Sequence, residues 1–176
     1  MSKEKKSNIR ALTQGAMMAA LSIILERVIS IMPASNMMDI RISLSNVPII
    51  LAGIVISPVV GGICGVVSDI VGCFISGYAP FPILTLAPLI VGFLPGALIR
   101  LCKWETNRHS FAKVEFVITV SHIFASVLIT TYGLSVMRGV PFVPMLITRL
   151  PSCGVNLFID ITLVYLLLKT PLSKNN

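Results

Sequence analysis

The chain has 176 residues, of which 55% are hydrophobic and only 12% charged, about half the roughly 25% charged content of a soluble domain. With a mean hydropathy of +0.92, and with 12 glycines and 11 prolines scattered through apolar sequence, the composition excludes disorder, a coiled coil and an ordinary soluble fold, and indicates an integral membrane protein. The net charge of +7 would suggest nucleic acid in a soluble protein, but the placement of the charges gives it another meaning.

A helix needs about 20 residues to cross the hydrocarbon core, so six spans use roughly 120 residues and leave short loops and tails. We read one all-α transmembrane domain over residues 1–176 with six spanning helices. The first runs from about Ala11 to Met32 behind the basic head MSKEKKSNIR. It is near full spanning length and has no obvious small-residue cleavage site, so it reads as a retained helix rather than a signal peptide. The second, about Leu44 to Ser57, has only 14 residues and needs tilt or bilayer thinning to cross. The third runs from about Val59 to Gly77 behind Pro58, and the fourth from Ile83 to Leu101. The fifth runs from Val114 to Met137 and the sixth from Leu150 to Leu168.

Lysine and arginine set the sense of insertion. With the N-terminus inside, the inner segments hold Lys3, Lys5, Lys6, Arg10, Arg100, Lys103, Arg108, Lys113, Lys169 and Lys174, ten of the fourteen basic residues. Arg41, Arg138 and Arg149 fall on the outer side, and Arg27 near the outer end of the first helix. Both termini are therefore expected in the cytoplasm. The basic residues act as topology determinants, and no nucleic acid partner is implied.

Small residues at four-residue spacing mark close helix contacts in lipid. They occur as Ala16 and Ala20 on the first helix, as Gly61, Gly65, Ser68 and Gly72 on the third, and as Gly92 and Gly96 on the fourth. Polar residues at membrane depth face a bundle interior or a cavity. Ser22, Glu26 and Ser30 share a face of the first helix, with Arg27 on another. Asp69 sits mid-helix in the third, either as an interhelical hydrogen bond or in a substrate or gating role. The fifth carries Thr119, His122, Ser126 and Thr130 on one face, and the sixth Arg149, Cys153, Asn156 and Asp160. Two apolar helices with one polar stripe each make sense around a water- or ligand-filled cavity. The outer loops add Tyr78, Phe81 and Pro82, then Met37, Met38, Asp39 and Arg41, then RGVPFVP. Ligand pockets are apolar with a few placed polar groups, so an aromatic, anionic solute is the expected tenant.

Catalytic and energy-coupling motifs are missing. There is no Gly-Lys pair and hence no phosphate-binding Walker loop. Cys64, Cys73, Cys102 and Cys153 have no metal-ligand spacing. The energy for moving a solute must come from an ion gradient, passive flow or an ATPase on another chain.

Residues 41–98 carry an arginine before the second helix, Asn46-Val-Pro48 at its start, Leu51-Ala-Gly53, Ser57-Pro58, Gly65 with Ser68-Asp69, and the segment from Phe81-Pro82 to Thr85-Leu86. The opening Leu12-Thr-Gln-Gly-Ala16 with Ala20 belongs to the same pattern. The sequence resembles the substrate-binding S components of energy-coupling-factor (ECF) vitamin transporters, most of all the folate-specific subfamily. The resemblance implies a multi-pass protein of a prokaryotic plasma membrane, a high-affinity folate site near the outer face, and no enzyme activity or cofactor of its own. It implies docking on a shared transmembrane coupling protein driven by two cytoplasmic ATPase subunits that consume ATP, with Ala16 and Ala20 contacting the coupling protein. For folate, the pterin is expected deep against Asn156 and Asp160, with Arg27, Arg41 or Arg149 on the carboxylates, and Tyr78 and Phe81 as an aromatic wall. Ala79 and Pro80 depart from a fully polar outer loop. Thiamine, riboflavin or a queuosine precursor on the same fold, and a non-transporting accessory membrane protein, are the alternatives.

Overall fold

The computed structural model describes residues 3–28, 44–77, 79–102 and 111–169. Among these the regular structure is helical. α1 is Lys3–Val28, α2 Asn46–Ile56, α3 Pro58–Ile75, α4 Pro82–Leu101, α5 residues 111–138 and α6 Phe142–Lys169. Five of the six are long and apolar enough to cross a membrane, and α2 is not. Its six α-helical and five π-helical residues rise at most about 16 Å, half of the roughly 30 Å hydrocarbon thickness.

Proline and glycine punctuate these elements. Pro58 and Pro82 occupy the first turns of α3 and α4, where a missing N–H costs nothing. Gly77 and Gly139 adopt left-handed backbone just beyond α3 and α5, the usual glycine helix stop. The sixth helix corrects the sequence expectation. It begins at Phe142, eight residues before Leu150. Pro144 falls in its first turn, where the N–H is orphaned anyway, and Pro151 is carried inside the helix, as neighbouring groups allow in membrane helices. Arg149 therefore lies about two turns inside α6 rather than in a loop.

α2 is the centre of the bundle. Val47, Pro48, Ile49, Ile50, Ala52, Gly53 and Ile54 are buried, and the helix packs against α1, α3, α4 and α6. Ile50 and Ile54 join Val91, Ile99, Val114, Ile118 and Val164 in the main apolar core. A second cluster joins Ala19, Ala52 and Cys64 across α1, α2 and α3.

The closest packing lies where α2, α3 and α4 meet. A Cβ added to Gly53, Gly61, Gly92 or Gly96 would collide with backbone atoms of a neighbouring helix, and one on Gly65 with Pro88. The face Gly61, Gly65, Ser68, Gly72 is buried as its spacing predicts, while Val59, Ile63, Val67 and Val71 stand exposed on α3. With apolar residues already solvated by lipid, such small-residue contacts hold helices together through dispersion and shape.

On α1 the inward face is Gly15, Ala19 and Ser22. Cys64 Sγ donates to Gly15 O at 3.1 Å, Ser68 Oγ to Ala19 O at 3.3 Å, and Ser22 Oγ to Ser45 O at 2.8 Å. Ala16 and Ala20 point out of the bundle and are exposed.

Candidate ligand-binding cavity

All six helices contribute to one cavity of about 230 Å³, small beside the roughly 300–1,000 Å³ of most ligand pockets. From α4 it takes only Leu84, Ala87, Pro88 and Val91, an apolar wall. From the other helices it takes mainly polar groups: Ser22 and Glu26, Asn46, Ser68 and Asp69, His122, Ser126 and Thr130, and Arg149 and Asn156.

His122 and Ser126 of the fifth helix's stripe face the sixth helix's stripe as a ladder, whose third rung is Thr131, one position beyond the expected Thr130. Arg149 Nη1 donates to Thr131 Oγ1 at 3.5 Å, Ser126 Oγ lies 3.2 Å from Cys153 Sγ, and His122 Nε2 lies 2.7 Å from Asp160 Oδ2. The partners run in opposite order along the chain, as antiparallel helices require. The ladder is seated on an unusual stretch of α5. Residues Ile123–Thr130 are wound as π-helix between the α-helical Phe111–His122 and Thr131–Arg138. Thr130 and Thr131 donate their hydroxyls to carbonyls five residues back, Ala125 O and Ser126 O. The widened turn keeps Ala125, Ser126 and Thr130 together on the cavity, and such bulges cluster at functional sites.

The deepest rung is the most costly to bury. Asp160 is 0% exposed and His122 4%. A carboxylate survives such burial only when paired and hydrogen-bonded, and Asn46 Nδ2 supplies a second donor to Asp160 Oδ2 at 3.1 Å. Asp160 stands behind the lining, while His122 and Asn46 reach it. His122 Nδ1 and Asp160 Oδ1 are buried without a hydrogen-bond partner among the described residues.

Asp69 makes the interhelical hydrogen bond that was one of its two readings, and it also faces the cavity. Its Oδ2 accepts from Thr85 Oγ1 at 2.7 Å, tying α3 to α4, and it lines the cavity. Arg27 goes elsewhere. It donates to Gly72 O in the last turn of α3, where a cation meets the negative end of the helix dipole, and it is not among the described lining residues. A Cβ at Gly72 would sit 3.5 Å from Arg27 Nη2 and 3.6 Å from Glu26 Oε2, so both charges cross to α3 at this glycine. Phe81 is the N-cap of α4, its carbonyl accepting from Leu84 N and Thr85 N, and it too stands off the described lining. Arg41 and Tyr78, with Met37, Met38 and Asp39, lie outside the described residues.

The described lining thus holds two carboxylates, Glu26 and Asp69, and one guanidinium, Arg149. The expectation of a generally anion-collecting pocket narrows to the Arg149 end. Arg149 and Asp160 are eleven residues apart on one helix, about 16 Å along its axis. Glu26, Ser22, Asn46 and Ser68 were not among the site residues expected from the sequence. The four-residue spacing of Ser22 and Glu26, and the position of Asn46 at the start of an apolar helix, were the signals that mark them. No group of three or more metal-ligating side chains occurs among the described residues.

The family model described as "ECF-type riboflavin transporter, S component" matches residues 6–174. Among solved structures the chain is similar to FolT bound with folic acid, at 21% identity over 90% of this chain and 92% of that one, with a TM-score of 0.67. It is also similar to the S component for biotin from an ECF-type ABC transporter, at 23% identity over 97% of this chain and 95% of that one, with a TM-score of 0.70. At these identities the likeness is one of fold. A comparison with curated protein sequences gives no match.

Proposed function

The chain belongs to the S components of ECF-type transporters, substrate-binding membrane subunits that are not enzymes, and we propose that the substrate it binds is folate. The observation that carries this reading is the polarity of the cavity along α6. Arg149 stands about 16 Å from the level of Asp160, with Asn156 between them and the apolar α4 residues forming another wall. A ligand matching this has a flat ring with N–H groups at one end and a carboxylate at the other. Folate has a pterin, an aromatic ring and a glutamate tail in that order. In this reading the pterin lies by Asn156, Asp69 and His122, and Arg149 meets the tail. The cavity of about 230 Å³ takes one ring system, and the tail runs on past Arg149. Riboflavin, named by the family model, has no carboxylate for Arg149. Biotin, bound by one structural neighbour, has both a urea and a carboxylate and is the second reading.

The wider reading has the chain dock on a transmembrane coupling protein driven by two cytoplasmic ATPases. The concentration of lysine and arginine in the inner segments supports both termini on the cytoplasmic side. Ala16 and Ala20, exposed on α1, form the coupling contact.

The test is calorimetric titration of the detergent-purified chain with folate, riboflavin, biotin and thiamine. Nanomolar binding of folate alone upholds the reading. Tight binding of another vitamin keeps the transporter class and replaces the substrate, and binding of none by folded protein overturns the ligand assignment.

A further inference from the structure

The pair His122–Asp160 has a chemical consequence for what the cavity accepts. A neutral imidazole carries one N–H and one bare nitrogen, and the partner of each nitrogen decides which is which. His122 Nε2 is 2.7 Å from Asp160 Oδ2. The same oxygen receives Asn46 Nδ2 at 3.1 Å. An oxygen on which two nitrogens converge, one of them an amide donor, acts as an acceptor. In the neutral ring the proton between the pair then belongs to Nε2, and Nδ1 keeps a lone pair. That Nδ1 is buried without a partner among the described residues, on a side chain 4% exposed that lines the cavity. Glu26 and Asp69, on α1 and α3, add carboxylates to the same lining, and Arg149 on α6 is its one described cation.

We propose that Asp160 is a positioning residue that holds His122 in the Nε2–H form, so that the bare Nδ1, covered in the empty chain, is the acceptor a bound ligand uncovers and meets, and ligands whose buried end donates hydrogen bonds are selected. The idea deepens the folate reading, since the pterin edge carries amino and ring N–H donors. It specifies the contact by atom. Asp160 does not touch the ligand. It fixes the imidazole proton on the far side of the ring, and Asn46 holds the carboxylate in place from α2.

The sequence has two histidines, so His109→Gln in the full chain leaves one imidazole to observe by ¹⁵N-histidine NMR. In the ligand-free protein we expect Nε2 protonated and Nδ1 pyridine-like. Saturation with folate moves the Nδ1 resonance toward its hydrogen-bonded position. Asp160→Asn, whose amide meets Nε2 equally well as acceptor or donor, mixes the two tautomers, and His122→Phe lowers folate affinity by about tenfold to a hundredfold. A protonated Nδ1 in the free chain, as in the opposite tautomer or an imidazolium, overturns the proposal without need of any variant. An Nδ1 signal unmoved by bound folate overturns its role as the ligand contact. If folate does not bind, the folate reading falls, and the tautomer of the empty chain still upholds or overturns the assignment made for Asp160.

Discussion

Where α2, α3 and α4 meet, the protein is built from residues that have no side chain. A few ångströms away, around the cavity, it is built from residues chosen for theirs. In the first region Gly53, Gly61, Gly92 and Gly96 bring backbone against backbone so closely that a methyl group has nowhere to go. In the second, Asp69, His122, Arg149 and Asn156 stand round open space, and what matters is which atom donates and which accepts. The seam tolerates no added volume, while the cavity's wall keeps a polar atom, His122 Nδ1, unanswered among the described residues. A membrane bundle needs both. Lipid gives little drive to squeeze apolar helices together, so close contact must come from small residues. Polar residues at depth are costly unless they answer one another or a ligand.

The sharpest break in this comparison is Gly92→Ala. Its Cβ would meet Gly61 backbone and the Ile49 side chain, and backbone cannot swing aside as a side-chain tip can. Overpacking of this kind costs about 1–3 kcal/mol or more, and we expect the upper end, seen as a lower melting temperature and aggregation in detergent. Gly154 is the control. It lies inside α6 with nothing within 4 Å of its would-be Cβ, so Gly154→Ala gains about 0.5–1 kcal/mol from helix propensity. Equal losses in the two variants would show that the seam is not the tight element.

The cavity responds in the other currency. Arg149→Ala removes its one described cation. Folate affinity is expected to fall by about tenfold to a hundredfold, the worth of a charge-assisted hydrogen bond. The ligand-free melting temperature, measured alongside, separates loss of the ligand contact from loss of fold. Undiminished affinity in folded protein would remove Arg149 from the site. A smaller effect belongs to Thr85→Val, which deletes the 2.7 Å bond to Asp69. Interhelical hydrogen bonds within membranes average about 0.6 kcal/mol, so we expect a loss of that order in stability, together with a shift in ligand affinity as Asp69 loses its orientation. A change in stability alone would make Asp69 a structural tie only.

The same contrast explains what could be read from sequence. Gly61, Gly65, Ser68 and Gly72 announced the seam side of α3, because size at helical spacing is written locally and survives without knowledge of the partner. The stripes through His122 and Asp160 announced a cavity for the same reason. What spacing does not contain is pairing. His122 and Asp160 are 38 residues apart and Asn46 and Asp160 are 114, so their meeting depends on how whole helices dock. Arg27 was read toward the ligand because arginine matches carboxylate, yet it caps the end of α3 at Gly72, a carbonyl that no sequence pattern displays. The start of α6 was placed eight residues late, at Leu150 rather than Phe142, and it is packing in the bundle that lets the helix carry Pro151 in its interior.

Ala16 and Ala20 belong to neither region, and they give the prediction with the least effect on the isolated chain. Both are small, as in the seam, but they lie outside the bundle, while Gly15 and Ala19, one residue earlier in each case, make the inward contact to α3. A face of small residues with none of the described residues upon it is suited to the close approach of another helix. Ala16→Trp is therefore expected to leave folding and folate affinity within error of the parent, since the new ring projects away from both the core and the cavity. Uptake by the assembled transporter in proteoliposomes should fall severely, because the ring holds the coupling protein off. Parallel loss of ligand binding and uptake would place this face inside the chain's own machinery. Retained uptake would mean that the coupling protein docks on another surface, such as the exposed valine stripe of α3.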